Sequence, residues 1–278
     1  MSIGIVGIGY VGHALKVGFG GYYDIHTYDK NPELSSTESL KDLAIKCKII
    51  FICVPTPMNN DGSCNTSIVE EVIRDISSYS LDDRIVVIKS TIIPGTTKRL
   101  SENHPNLKII FNPEFLTEAN FIEDFKNQER IVLGSESDSV DIIEDVYRKV
   151  FSKAVIVQTG SAEAEMVKYF CNAFLATKVS FANEIKILCD ALNIDYNKVL
   201  NCASYDKRIG SSHFNVPGPD GKVGFGGSCF PKDINALISL FKSLKIDTDT
   251  IRGAWKTNLK VRIKKDWLEL NERSVNSE

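Results

Sequence analysis

The sequence predicts an α/β fold in which a doubly wound parallel sheet is followed by a smaller, all-helical domain with one long helix. Three observations support this prediction. Short apolar runs alternate with amphipathic helical patterns up to about residue 160. A Gly7-x-Gly9-x-x-Gly12 pattern follows the first apolar run, as in the turn of a Rossmann-like βαβ unit. Residues 161–192 contain no glycine or proline, which indicates one continuous helix.

Seven apolar runs are predicted to be the strands of the sheet. The third run, at 48–54, is almost continuously apolar, as expected for a parallel strand that is covered on both faces. Between the third and fourth runs, residues 67–77 place Ile68, Val72 and Ile76 on one side of a predicted helix. The seven runs are residues 3–6, 24–28, 48–54, 84–89, 108–111, 130–133 and 154–157.

The predicted helix at 161–192 begins a second domain. It would be roughly 48 Å long, which is more than one small sheet needs, so we expect it to link domains or to pack on a second subunit. Shorter helices are predicted at 196–204, 233–244 and 249–270, with an irregular segment at 208–231 and a frayed polar tail at 271–278. We therefore predict two domains, at 1–160 and 161–278.

Composition argues against several functional classes. The chain has 278 residues, 43% apolar and 25% charged, with a net charge of -3, which is typical of a globular protein. Basic residues are scattered, so we expect no nucleic-acid partner. No apolar run approaches the roughly 20 residues that span a bilayer, and the N-terminus has no signal-peptide pattern. We expect no membrane partner and a cytoplasmic location.

The seven cysteines also argue against several kinds of site. Their number is odd and none has C-x-x-C spacing, which argues against a zinc site, a disulfide framework or any other metal centre, and for a reducing compartment. Six are expected to be unreactive and to serve only in packing. Cys229 differs, because it lies in a glycine-rich segment just before Lys232 and Asp233. We expect an exposed thiol on a flexible backbone there, with a pKa lowered by nearby cations.

The N-terminal glycine pattern predicts a dinucleotide site. Gly7 allows a tight turn, Gly9 lets a pyrophosphate approach the backbone, and Gly12 allows close packing of helix on strand. Asp29 ends the next predicted strand, where a carboxylate would accept a hydrogen bond from the ribose 2′-hydroxyl. This favours NAD over NADP, although Lys30 leaves NADP open. The alternative is an ordinary turn beside a surface aspartate.

Three segments leave the carboxyl ends of predicted strands, where open α/β sheets bind ligands. They are Val54-Pro55-Thr56-Pro57, Lys89 to Thr97 and Asn112 to Glu118. Threonine hydroxyls there could contact a nicotinamide or a water, and Glu114 and Glu118 could act as a general base and a cofactor contact. Taken singly, each segment is explained equally well by turn chemistry or by solvated carboxylates.

The long helix carries a polar pair one turn apart, Lys168 and Asn172. An ammonium and an amide side by side could stabilise a developing alkoxide. A solvated helix face is the alternative explanation of the pair.

Taken together, these segments resemble the UDP-glucose/GDP-mannose dehydrogenase family. Six motifs occur in the family's order and cover nearly the whole chain. They are Gly7-x-Gly9-Tyr10-Val11-Gly12, Val54-Pro55-Thr56-Pro57, Lys89-Ser90-Thr91-x-x-Pro94-Gly95-Thr96, Asn112-Pro113-Glu114-Phe115-Leu116-x-Glu118, Glu165-x-x-Lys168-Tyr169-x-x-Asn172-Ala173-Phe174 and Gly224-Phe225-Gly226-Gly227-Ser228-Cys229-Phe230-Pro231-Lys232-Asp233.

The resemblance implies an NAD-dependent, four-electron oxidation of the C6 alcohol of a nucleotide sugar, with UDP-glucose as the expected substrate and UDP-glucuronate as the product. It implies that Cys229 traps the aldehyde as a thiohemiacetal, which a second oxidation converts to a thioester that water hydrolyses. Lys168 and Asn172 would stabilise the alkoxide and oxyanion, and Asp233 would work with Lys168 on proton transfer through water. Glu114 would serve the hydrolytic step, with Thr91 holding its water.

The resemblance also implies binding residues and a homodimer in which Arg208 completes the neighbouring subunit's site. Cofactor contacts are expected at Gly7, Gly9, Tyr10, Val11, Gly12, Asp29, Val54, Pro55, Thr56, Thr91 and Glu118. Substrate contacts are expected at Glu114, Phe115, Leu116, Lys168, Asn172, Arg208, Phe225 and Gly226.

Two departures from the family pattern affect substrate binding. Members usually carry a second Rossmann-like domain, which we expect to be missing from a chain that ends at Glu278. An inserted-looking loop, residues 216–221, is expected to cover part of the nucleotide instead. Three alternatives stay open: a GDP-mannose or UDP-N-acetylhexosamine 6-dehydrogenase, a catalytically incomplete binder of NAD and nucleotide sugar, and a single-hydride dehydrogenase of the 3-hydroxyacid type.

Overall fold

The computed structural model describes residues 1–270 and Val275 of the chain. These residues form two compact units. The first consists of Met1–Thr56 and Thr66–Lys168, and the second of Pro57–Asn65 and Tyr169–Glu278.

The first unit is built on a seven-stranded sheet, in the order β2-β1-β3-β4-β5-β6-β7. All seven predicted strands are present. Their bounds are β1 Ser2–Val6, β2 Asp24–Tyr28, β3 Ile49–Ile52, β4 Arg84–Ile88, β5 Leu107–Phe111, β6 Arg130–Gly134 and β7 Val155–Thr159. Because β3 lies beside β1, the strand order reverses between them, and the carboxyl ends of β1 and β3 border the crevice where such sheets bind ligands.

Helices cover both faces of this sheet. They are α1 Tyr10–Phe19, α2 Leu40–Lys46, α3 Ser67–Ser78, α4 Thr96–Asn103, α5 Phe121–Lys126 and α6 Val140–Val150. On β3, Ile49 and Phe51 point into a core with α1, α5 and α6, whereas Ile50 and Ile52 point into a core with α2, α3 and α4. This alternation explains why the strands read as continuous apolar runs.

One strand pairing differs from the prediction of a wholly parallel sheet. β5 and β6 meet in antiparallel register at Phe111 and Gly134, while all other pairs are parallel. An antiparallel neighbour needs no helical crossover. The connection contains only the six-residue α5, which packs on α1, with the ring centroids of Phe19 and Phe125 5.5 Å apart.

The second unit is helical. It contains most of α7 Ser161–Ala191, which begins in the first unit, together with α8 Tyr196–Ala203, α9 Phe230–Ser243 and α10 Asp249–Val261. One apolar cluster joins α7, α9 and α10 around Ala176, Ile234 and Ala254. The long helix and α8 are confirmed at nearly their predicted bounds.

The bounds of α9 and α10 differ from the sequence prediction. α9 begins at Phe230 rather than at residue 233, because Pro231 is well tolerated in a first helical turn. α10 ends at Val261 rather than at residue 270. Arg262 is extended there, and its buried guanidinium lies 2.7 Å from both Asp220 and Asp266. The predicted frayed tail, residues 271–278, lies outside the described residues except for Val275.

The described residues include neither a membrane-spanning helix nor a cluster of metal-binding side chains. None of their helices combines the length and the apolar character that spanning a bilayer requires. Within the same part of the chain, no group of three or more histidine, cysteine or acidic residues could hold a metal ion.

Candidate active site

The glycine pattern forms the turn between β1 and α1. Gly7 has a φ of +87°, and a Cβ there would lie 2.9 Å from the backbone of Cys53 and Val54 at the end of β3. A Cβ on Gly12 would lie 2.0 Å from the carbonyl oxygen of Gly7, whereas a Cβ on Gly9 would meet nothing within 4 Å. Gly7 and Gly12 are thus required by close packing, and the backbone at Gly9 is left open to a ligand.

Asp29 is fixed at this turn. One carboxylate oxygen accepts from the backbone N–H of Ile8 at 2.6 Å, and the other accepts from the N–H of Asn31 at 2.9 Å. The N–H of Asp29 donates to Ser35 Oγ at 2.9 Å. These bonds hold a carboxylate beside the glycine turn, where it can accept from a ribose hydroxyl. Tyr10 and Val11 are the first two residues of α1.

The segments after β3 and β4 are joined at the same edge of the sheet. Ser90 Oγ donates to the carbonyl oxygen of Val54 at 2.6 Å. Thr56 and Thr91 are buried, at 5% and 7% exposure. Pro55 lies between Val54 and Thr56, and Glu118 is half-buried in the turn that precedes α5. Of these predicted cofactor residues, Val54 adjoins Gly7 directly.

Glu114 and Lys168 form a buried ion pair within the first unit. Lys168 Nζ lies 2.7 Å from a carboxylate oxygen of Glu114 and donates to the Glu114 carbonyl at 2.6 Å. The other carboxylate oxygen accepts from the N–H of Leu116 at 2.8 Å. Burial raises the pKa of Glu114, but Lys168, this N–H and the charge of Lys89 outweigh it, so the pKa is lowered. Glu114 is therefore ionised at neutral pH.

A buried hydrogen-bond network near the Glu114–Lys168 ion pair was not predicted from the sequence. Lys89 Nζ donates to Asn112 Oδ1 at 2.8 Å, and Tyr147 donates to the same oxygen at 2.5 Å. Burial lowers the pKa of Lys89 to about 8, although Cys53 and Glu114 oppose the shift. The sequence signal for this network was the position of Lys89, directly after the apolar run of β4.

Glu165 has a structural contact that explains its place in the long-helix motif. The side chain is fully buried and accepts from the N–H and hydroxyl of Thr97 at 2.8 and 2.6 Å, and from the N–H of Gly95 at 2.5 Å. The carboxylate thus binds N–H groups at the start of α4, which have no partners within the helix. Burial raises its pKa against these hydrogen bonds.

In the second unit, Cys229 immediately precedes α9 and is half-buried, not exposed as predicted. Its Sγ lies 3.7 Å from Ser228 Oγ. The preceding glycine loop is also hydrogen-bonded where a flexible one was expected. The amide of Asn258 accepts from the N–H of Phe225 at 2.7 Å and donates to its carbonyl at 3.0 Å. A Cβ on Gly226 would lie 2.3 Å from the guanidinium of Arg262, so glycine is needed there.

Asp233 lies on the first turn of α9 and is almost fully buried. Its two oxygens accept from Asn172 Nδ2 and from Lys232 Nζ, both at 2.6 Å. Burial lowers the pKa of Lys232, but the charges of Asp233, Cys229 and Cys64 outweigh it and raise the pKa. Lys232 therefore carries a stable positive charge close to the thiol of Cys229. A cation beside this thiol was predicted from the sequence, whereas the proximity of Cys64 was missed by sequence reasoning.

The predicted catalytic residues thus have two sets of contacts. Lys168 binds Glu114 beside Phe115 and Leu116 in the first unit, and Asn172 binds Asp233 in the second. Proton transfer between Asp233 and Lys168 stays a prediction. Arg208 is 89% exposed and pairs with Asp206 at 2.6 Å.

Two family models match the chain. Residues 23–151 match the NAD binding domain of the UDP-glucose/GDP-mannose dehydrogenase family, and residues 162–260 match the central domain of that family.

Individual proteins give a consistent result. A UDP-glucose 6-dehydrogenase of Rickettsia bellii is 38% identical over 234 residues, covering 82% of this chain and 50% of the relative. The chain therefore spans about half the length of the curated relatives it matches. A solved UDP-glucose dehydrogenase from Pyrobaculum islandicum is 32% identical, with a TM-score of 0.85 over 93% of this chain and 68% of that one.

A third protein is similar in fold alone. A 3-hydroxyisobutyrate dehydrogenase from Mycobacterium tuberculosis, solved with L-serine, has a TM-score of 0.77 at 13% identity, covering 99% of this chain and 96% of that one.

Proposed function

The chain belongs to the UDP-glucose/GDP-mannose dehydrogenase family, and from this we propose that it carries out an NAD-dependent, four-electron oxidation of the C6 alcohol of a nucleotide sugar to a carboxylate. UDP-glucose is the favoured substrate, because it is named for the relatives that share 38% and 32% of the residues. The first unit contributes the NAD binding domain, and the second contributes a thiol.

One observation carries the proposal. Cys229 stands at the start of α9, close to the buried and positively charged Lys232, whose counter-ion is Asp233. A positive charge and a helix N-terminus both favour the thiolate form of a cysteine. A single hydride transfer needs no thiolate, whereas an oxidation that passes through a thioester does. This observation therefore favours the four-electron reaction over the 3-hydroxyacid type.

The residues at the glycine turn fit NAD. The open backbone at Gly9 suits a pyrophosphate, and the fixed carboxylate of Asp29 suits a ribose diol while disfavouring a 2′-phosphate. When bound, the nicotinamide would accept a hydride from the C6 carbon in each of the two oxidations. The covalent steps and the proton transfers would be carried out by side chains of this protein.

In the proposed reaction, the thiolate of Cys229 adds to the aldehyde carbon, and a carbon–sulfur bond forms as the carbonyl oxygen becomes an alkoxide. Loss of a hydride from this thiohemiacetal leaves a thioester. Water then adds to the thioester carbon and the carbon–sulfur bond breaks, which releases the carboxylate and returns the thiol.

The other predicted residues would handle charge and protons. Lys168 and Asn172 carry N–H donors that could stabilise the alkoxide and the oxyanions that follow. Glu114 is held ionised by Lys168 and could accept a proton from the attacking water, with Thr91 helping to hold that water. Asp233 would keep Lys232 charged and Asn172 oriented.

NADH production by the purified chain with UDP-glucose tests the proposal. We expect two NADH for each sugar consumed, and Cys229→Ser should abolish turnover while NAD still binds. Full activity in Cys229→Ser would contradict the thioester route and favour a single hydride transfer. NAD binding without turnover in the unaltered chain would favour a catalytically incomplete binder.

A panel of nucleotide sugars separates the substrate alternatives. We expect UDP-glucose to give the highest kcat/KM. Preference for GDP-mannose or a UDP-N-acetylhexosamine would keep the reaction class and change the substrate.

A homodimer is part of the proposal. Phe170, Phe174 and Phe181 on α7 are 69%, 57% and 56% exposed, and the rings of Phe170 and Phe174 stack with centroids 6.4 Å apart. Exposed aromatic side chains on one helix are typical of an interaction surface. The exposed Arg208 would reach the partner's substrate. We keep the expectation of a cytoplasmic location, because the reaction requires a reduced thiol.

A further inference from the structure

Cys64 lies in a short turn that packs along α9. The turn belongs to segment Pro57–Asn65, which clusters with the second unit although its sequence neighbours belong to the first. Met58 and Cys64 pair as an isolated antiparallel bridge. A Cβ on Gly62 would lie 3.5 Å from the Cβ of Asn235, which is on α9 one turn after Lys232. The turn is thus held next to the helix that Cys229 precedes.

Two thiols lie near one ammonium group in this arrangement. Besides Asp233, the groups whose charges act most strongly on Lys232 are Cys229 and Cys64. Asp233 is almost fully buried and Lys232 nearly so, at 1% and 13% side-chain exposure. Cys64 and Cys229 are both half-buried. Both thiols therefore lie near the same ammonium, and neither cysteine is fully buried.

This setting favours oxidation at Cys229. A lysine and the N-terminus of the 14-residue α9 stabilise a thiolate, which is the form that peroxides attack. By contrast, Cys47 and Cys53 are held as thiols, since burial raises their pKa to about 11 and about 12. A second thiol next to a reactive one is the usual arrangement in reversible redox sites.

We propose that Cys64 is a resolving cysteine, which forms a reversible disulfide with Cys229 after a hydroperoxide has oxidised that thiolate. In the first step the Cys229 sulfur attacks one peroxide oxygen, the oxygen–oxygen bond breaks, and the released oxide is protonated to water or an alcohol. In the second step the Cys64 sulfur attacks the sulfenic acid and water leaves. Each sulfur loses one electron, and the peroxide gains the two.

The disulfide would protect the nucleophile of the proposed reaction. A sulfenic acid left alone is oxidised further to a sulfinic acid, which thiols do not reduce, whereas a disulfide returns to two thiols with any small dithiol. The inference on activity rests on the proposed function. The inference on the disulfide itself does not.

The test uses the reduced full chain, hydrogen peroxide as oxidant and N-ethylmaleimide as quench, followed by tryptic mass spectrometry without reductant. We expect a cross-link between the peptides at residues 49–74 and 223–232, lighter than their sum by two hydrogens and cleaved by dithiothreitol. Fragment ions separate Cys64 from Cys53, which is in the same peptide. Absence of the cross-link while Cys229 becomes a sulfinic acid would overturn the proposal.

Two variants test the resolving role of Cys64. Cys64→Ser should keep basal NADH production. After peroxide treatment, dithiothreitol should restore NADH production in the unaltered chain but not in Cys64→Ser, and Cys229 of the variant should carry sulfinic acid. Cys202→Ser, which removes an exposed cysteine on α8, should behave like the unaltered chain. Recovery in Cys64→Ser equal to that of the unaltered chain would contradict the resolving role. If no chain produces NADH, the cross-link still decides the disulfide, and only the proposed function fails.

Discussion

At the scale of single residues, the carboxylate of Asp233 is tightly constrained. It is almost fully buried and its two oxygens are bound by an amide and an ammonium. Removing the negative charge would leave Lys232 buried without its nearest counter-ion, which is costly in a low-dielectric site. The same charge keeps Lys232 protonated, and Lys232 lies close to the thiol of Cys229.

Asp233→Asn should therefore lower NADH production by about 10²-fold or more while the affinity for NAD stays unchanged. Turnover at saturating substrate and NAD titration by calorimetry measure the two effects. The exposed Asp247→Asn is the matched control and should keep full activity. Wild-type turnover in Asp233→Asn would exclude Asp233 from the reaction.

Lys89 gives a prediction for stability against pH. Its pKa in the folded chain is about 8, below the ordinary 10.5, so folding favours the neutral form. The stability that this provides is complete above pH 10.5 and is lost as the pH falls through 8. In Lys89→Met, the pH-dependent part, about 3 kcal/mol, should disappear.

Urea unfolding at pH 8 and pH 10 measures this difference. The free energy of unfolding of the unaltered chain should rise relative to that of Lys89→Met over this interval. Lys98→Met, at an exposed site on α4, should track the unaltered chain. A parallel pH dependence in Lys89→Met would show that Lys89 is charged to the same degree in the folded and unfolded chain.

At the scale of elements, the loop before Cys229 is positioned by α10. Asn258 exchanges two hydrogen bonds with the backbone of Phe225, as a neighbouring strand would, and is itself fully buried. A truncated side chain would leave a buried N–H and a buried carbonyl without partners. Asn258 is thus a positioning residue for the loop.

Asn258→Ala should destabilise the chain by about 1–3 kcal/mol and lower kcat with little change in KM for NAD. A structural role alone would not alter the pH profile of Cys229 alkylation by iodoacetamide, so a shifted profile is the specific readout. Asn197→Ala, at the exposed start of α8, is the control. An unchanged alkylation profile in a folded Asn258→Ala would argue against positioning.

The loop at residues 216–221 is the second element with a predicted role. Asp220 joins it to the guanidinium of Arg262 at 2.7 Å. Deleting residues 217–220 should raise KM for the nucleotide sugar and leave KM for NAD unchanged, because the loop is proposed to cover the nucleotide. Asp220→Asn removes only the negative charge that faces Arg262 and should have the smaller effect. An unchanged KM in the deletion would refute the covering role.

At the scale of the whole molecule, the exposed aromatic side chains of α7 predict self-association. Phe174→Glu places a charge on this face and should convert a dimer to a monomer at micromolar concentration, as measured by sedimentation equilibrium. Leu244→Glu, at an exposed apolar site just after α9, should leave the dimer intact. A monomeric unaltered chain would contradict the dimer, and Arg208 would then have no neighbouring site.

Local patterns in the sequence determined much of this protein. The seven strands, the long helix and the tight glycine turn at Gly7 and Gly12 were predicted, because apolar periodicity and turn chemistry are set by residues that are near one another in the chain. The ribose contact of Asp29 stays a prediction. The role of the Cys229 thiol stays a prediction, and the residue is half-buried rather than exposed. The ends of α9 and α10 were less accurate, since Pro231 and the buried Arg262 decided them.

Only the tertiary structure decided which polar and charged groups are in contact. Glu114 is 54 residues from Lys168, and Asn172 is 61 residues from Asp233. The Cys64 turn joins the second unit from within the first unit's sequence. Contacts at such separations depend on strand order and on how helices pack, which no local periodicity encodes. Burial then fixes their protonation states, because the pKa of Lys89 or Glu114 depends on surroundings that exist only once the chain has folded.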